Sequence, residues 1–79
     1  MLDTKQPAIG NLVRDLRQTM NLSQEKFAAQ LGVTFPTINR WENGRATPSP
    51  LAIKQIYVLL EQLGERGMEL QTKYFSETE

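Results

Sequence analysis

Apolar residues recur at three- and four-residue steps through Ile9, Leu12, Val13, Leu16 and Met20, a spacing that gathers side chains on one face of a helix. It predicts a first helix from about Ala8 to Met20, with Pro7 suited to the first turn and Asn21 able to close the end. The next stripe is Phe27, Ala28 and Leu31. Ser23 is a good N-cap for it and Glu25 lies favourably in the first turn, so a second helix is expected over about Ser23 to Leu31. Lys26 stands where a capping box would have Glu or Gln, which leaves that cap half built. Gly32 can adopt the left-handed conformation of a sharp turn, Val33 can point inward, and Thr34 can cap the N–H of Thr37. A third helix is therefore expected over about Thr34 to Glu42, with Pro36 in its first turn and Ile38 and Trp41 on the inward stripe. Proline pushes its predecessor, Phe35, away from helical angles, so the start is fixed only to within a residue.

Asn43 and Gly44 end the third helix, and Arg45-Ala46-Thr47-Pro48 reads as a loop. Ser49 then caps a fourth helix with Pro50 at its first position, striped by Ala52, Ile56, Leu59, Leu60 and Leu63 and widened by Ile53 and Tyr57. Past Gly64 the pattern weakens: Glu65-Arg66-Gly67 offers no clear helix start, and Gly64 and Gly67 bracket a plausible hinge. The expected organisation is a flexible arm at 1–7, a folded domain at 8–63, and an acidic extension at 64–79 that is a candidate dimer contact. Met68, Leu70, Tyr74 and Phe75 are too many apolar groups to leave in water. They are expected to pack with Ile53 and Tyr57, either back on the same chain or, the favoured reading, across a two-fold axis.

Composition narrows the functional classes. Seventy-nine residues allow one compact domain, and with no cysteine neither a disulfide nor a thiolate metal site can supplement its core. Histidine is also absent, which removes the side chain best suited to proton transfer near neutral pH. Glu42, Glu61, Glu65 and Glu69 have no nucleophile, metal cluster or phosphate loop beside them, so no enzyme activity, metal or cofactor is expected. No apolar run approaches the roughly 18 residues that would span a bilayer, and the polar start lacks a signal peptide's apolar stretch, so a cytoplasmic protein is expected. The net charge of zero conceals an asymmetry of +3 over Met1 to Lys54 and −3 over Gln55 to Glu79. Such a division suits a front that meets phosphate and a tail that is repelled by it.

Two short helices joined at a glycine, the second able to lie in a groove about 12 Å wide, suit a helix-turn-helix reader of DNA. The pieces Leu22-Ser23-Gln24-Glu25, Leu31-Gly32-Val33-Thr34, Thr37-Ile38-Asn39-Arg40-Trp41-Glu42-Asn43-Gly44-Arg45 and Pro48-Ser49 closely resemble the Cro and phage-repressor-like helix-turn-helix family, also called XRE. The resemblance covers about residues 9 to 63. It implies an all-α, compact bundle of four or five helices that binds operator DNA as a homodimer, with the third helix in the major groove.

By position, the resemblance makes Gln24 a phosphate contact and puts Phe35, Pro36 and Arg40 where the family reads base edges. Thr34, Thr37 and Asn39 fall at phosphate or secondary base contacts, and Asn43 and Arg45 at phosphate contacts after the helix. Arg40 has the planar fork that matches guanine O6 and N7, whereas arginine serves phosphate equally well. Phe35 and Pro36 depart from the polar residues common at their positions: they can lie against a thymine methyl, or Phe35 can fold into the core. Trp41 reads as core, and Arg17 and Glu42 as a structural pair between the first and third helices. The function expected is sequence-specific binding of double-stranded DNA, as a transcriptional repressor or regulator. The alternative is a protein-interaction module, an antitoxin or adaptor, on the same fold.

Overall fold

The computed structural model describes residues 5–75, and the surroundings of side chains 9–74. The chain forms α1 (Lys5–Thr19), α2 (Gln24–Leu31), α3 (Phe35–Glu42), α4 (Pro50–Gln62) and α5 (Glu65–Phe75), with no strand among the described residues. The all-α architecture agrees with the expectation. α1 starts at Lys5, inside the segment expected to be a flexible arm, because Pro7 sits in its first turn and does not set its first residue.

Three helix ends share one device. The N–H of Leu22 reaches the carbonyl of Arg17 and that of Asn21 the carbonyl of Gln18. Val33 to Ala28 with Gly32 to Ala29 repeats the pair, as does Arg45 to Arg40 with Gly44 to Trp41. Each pair needs a left-handed residue at its centre, filled by Asn21 at φ 64°, Gly32 at φ 74° and Gly44 at φ 73°. The starts are equally local. Ser23 Oγ accepts from Lys26 N–H at 3.1 Å, Thr34 Oγ1 from Thr37 N–H at 3.4 Å and Ser49 Oγ from Ala52 N–H at 3.2 Å.

α1 packs on α3 and α5, α2 packs on α3, and α4 packs on α5. The buried cluster joins Leu12, Val13 and Leu16 of α1, Phe27 and Leu31 of α2, Ile38 and Trp41 of α3, and Ile56, Leu59 and Leu60 of α4. Trp41 is core, as its spacing indicated.

The doubted fifth helix is present. Gly64, at φ 65°, turns the chain sharply, and its carbonyl accepts from the N–H of Met68 in the first turn of α5. Gly67 is no hinge: it lies within α5 and is pressed so closely on the carbonyl of Leu60 that a Cβ would not fit. Leu70 and Tyr74 pack against the same chain's core, while Met68 stays 65% exposed and Tyr57 39% exposed. The tail folds back by way of Leu70 and Tyr74, the same-chain packing that was one of the two expected readings; the side chain of Phe75 lies outside the described residues.

Candidate nucleic-acid interface

The turn at Gly32 fixes α2 against α3, and a buried carboxylate fixes both to α1. Glu42 ends α3 with its side chain only 2% exposed. Its Oε2 accepts from Arg17 Nε at 2.7 Å, and its Oε1 from Arg17 Nη2 at 3.1 Å and from Gln24 Nε2 at 3.0 Å. Arg14 adds a charge contact at 3.6 Å and donates through Nη2 to the Glu42 backbone carbonyl at 3.0 Å. A two-point arginine–carboxylate pair is geometrically demanding, so α3 is held in both position and rotation. The Arg17–Glu42 pair is the one that the family resemblance implied. Arg14 was missed, although its place three residues before Arg17 on one helix was a usable signal.

From Glu42 the hydrogen bonds run outward. Gln24 Oε1 accepts from Asn39 Nδ2 at 3.4 Å, and Asn39 Oδ1 accepts from Asn43 Nδ2 at 3.1 Å. Gln24, Asn39 and Asn43, expected to contact DNA separately, are therefore one chain of amides, with Gln24 and Asn39 half-buried and Asn43 exposed. The hydroxyls of Thr34 and Thr37 lie 2.9 Å apart in the cap that starts α3.

Beyond these paired groups stand Phe35, 45% exposed, and Pro36, Arg40 and Arg45, also exposed. Burial of Phe35 in the core, the other reading open to it, does not occur. Pro36 and Arg40 are four apart on α3, on the side opposite the buried Ile38 and Trp41. Among the described residues Arg40 and Arg45 pair with no carboxylate. The result is a ridge with an apolar start, a free guanidinium in the middle and a second past the end. Residues 13–64 of this chain match the helix-turn-helix family, a span that runs from within α1 through α2, α3 and α4.

The chain belongs to the XRE-type helix-turn-helix family. It is 35% identical over 66 residues to an uncharacterized HTH-type transcriptional regulator of Archaeoglobus fulgidus, an alignment covering 82% of this chain and 29% of that protein. It is likewise 35% identical over 60 residues to the ImmF control region 10 kDa protein of Bacillus phage phi105, covering 76% of this chain and 64% of that one. The chain thus spans less than two thirds of either relative's length. No solved structure matches it. Within the matched residues, α2 and α3 are the paired helices, flanked by α1 and α4. No described helix is long and apolar enough to cross a membrane.

Proposed function

We propose that the protein is a DNA-binding transcription regulator that lays α3 in the major groove of double-stranded DNA as a homodimer. The observation that carries this reading is the outward ridge of Phe35, Pro36 and Arg40 on a helix whose inward residues are locked by Trp41 and Glu42. Arg40 has the reach and fork to meet guanine O6 and N7, while Arg45, past the Gly44 turn, meets backbone phosphate. The N–H groups of Gln24 and Glu25, ahead of the Lys26 N–H that Ser23 caps, add an anion contact at the start of α2. Thr34, Thr37, Asn39 and Asn43 flank the same edge and serve the phosphates and neighbouring bases. The protein acts by binding and not by catalysis, in the cytoplasm where such DNA is accessible.

One domain covers one half-site, and specificity calls for two recognition helices about 34–36 Å apart. The outward face of α4 suits that pairing. Leu51, 67% exposed, and Val58, 50% exposed, lie seven residues apart, as do Lys54 and Glu61, whose opposite charges a two-fold axis can bring together.

Selection from a random duplex pool tests the reading. An enriched inverted repeat is expected, bound with an affinity that falls by orders of magnitude between about 50 and 200 mM salt. Arg40→Ala then loses about 1–3 kcal/mol on the enriched site and relaxes one base pair, whereas Arg45→Ala weakens all duplexes alike. Recovery of unrelated sequences, or an affinity indifferent to salt, would overturn it.

A further inference from the structure

Resting on the DNA-binding reading, we infer that Phe35, supported by Pro36, reads the C5-methyl group of a pyrimidine in the major groove, so that the protein's affinity responds to that methyl as such. Two independent observations converge on this. The first is exposure. α3 buries its other large apolar side chains, Ile38 and Trp41, yet leaves Phe35 45% exposed beside the exposed Pro36. A phenyl ring held in water at the leading end of a helix has carbon to offer and no hydrogen bond.

The second observation concerns the polar groups that would otherwise read an A·T pair. Two-point recognition of adenine N6 and N7 takes an asparagine or glutamine amide whose plane is turned to the base edge. Gln24 has its Nε2 on Glu42 and its Oε1 on Asn39; Asn39 has its Nδ2 on Gln24 and its Oδ1 on Asn43. Each amide thus keeps a spare proton and lone pair but is half-buried and held in the protein's own network, and the Thr34 and Thr37 hydroxyls lie 2.9 Å apart in the cap of α3. The exposed carbon of Phe35 and Pro36 at the start of α3 meets an A·T pair on its thymine side, where the major groove presents a methyl group. The contact depends on the methyl and not on base pairing, so it extends to 5-methylcytosine, which carries the same group at the same ring position.

The test uses the duplex enriched from the random pool, with wild-type protein and Phe35→Ala, each checked for a native circular dichroism spectrum and melting curve. Thymines are replaced one at a time by deoxyuridine, which removes the methyl and leaves pairing intact. At one thymine per half-site the wild type is expected to lose about fourfold per methyl, the factor associated with burying one methyl-sized apolar group. Phe35→Ala should bind the thymine and uracil duplexes equally. Cytosine and 5-methylcytosine compared at that position should show the same factor for wild type and none for the variant. Uracil tolerated at every position by the wild type would overturn the inference while leaving DNA binding intact, and so would a loss that persists in Phe35→Ala. If the pool yields no enriched duplex, the DNA-binding reading itself fails, a result distinct from either.

Discussion

Glu42 carries a carboxylate into the interior on the last turn of α3, and only the groups around it make that tolerable. Arg17→Ala would strip away two of its charge-assisted hydrogen bonds and leave the buried charge to Gln24 and the longer Arg14 contact. Losing one partner of such a pair costs about 3–5 kcal/mol, whereas replacing both by apolar residues is far milder. Urea unfolding should therefore show a large drop for Arg17→Ala and a partial recovery for Arg17→Met with Glu42→Leu; a single variant as stable as wild type would contradict the clamp. A second residue-scale device joins α1 to α5. The Tyr74 hydroxyl donates to Asp15, which also receives Lys73 Nζ at 3.3 Å. Burial first, and then the bond to Asp15, raise the Tyr74 pKa above its ordinary 10.0. With the folded value raised, the contribution is full below the ordinary tyrosine value and is lost as pH climbs through the folded one. Stability should thus fall at strongly alkaline pH in wild type and fall less in Tyr74→Phe, which at neutral pH should be weaker by about 1 kcal/mol. Identical alkaline profiles would remove Tyr74 as the cause.

At the scale of elements, α5 depends on a missing side chain. A Cβ on Gly67 would run into the Leu60 carbonyl, backbone that cannot swing aside, so Gly67→Ala must lift α5 from α4. Overpacking of this kind costs about 1–3 kcal/mol, and amide exchange should accelerate along α5 more than along α2 or α3. Uniform exchange would mean that α5 and α4 are not in contact there. Gly67 also explains why this helix was hard to read. Its inward stripe is Gly67, Leu70, Gln71 and Tyr74, and the residue that begins it adds no hydrophobic signal. The first four helices were legible because Ser23, Thr34 and Ser49 state the starts of α2, α3 and α4, and Asn21, Gly32 and Asn43-Gly44 the ends of α1, α2 and α3. At the candidate site, the helical period identified Trp41, and the family resemblance the Arg17–Glu42 pair. Gln24 was expected to face outward; whether an amide turns to solvent or to a buried carboxylate is decided in three dimensions, by a partner 18 residues away.

For the whole molecule, assembly is expected to rest on α4 and not on the tail, since Leu70 and Tyr74 are already covered by α1 and α4 of the same chain. Val58→Asp should shift the sedimenting species from dimer to monomer and weaken the enriched inverted repeat while preserving the melting curve. Lys54→Glu should do the same, and adding Glu61→Lys should restore the dimer; an unchanged mass in all three would discard this face. The α3 clamp has a further consequence, one for inheritance and engineering. The buried groups that fix the helix are Ile38, Trp41 and Glu42, and what stands out as Phe35, Pro36 and Arg40 carries no part of the buried cluster. The letters that spell the preference can therefore be rewritten while the page that holds them stays whole. On the DNA-binding reading proposed above, new operators can be reached through these three positions without first crossing a valley of unfolded intermediates.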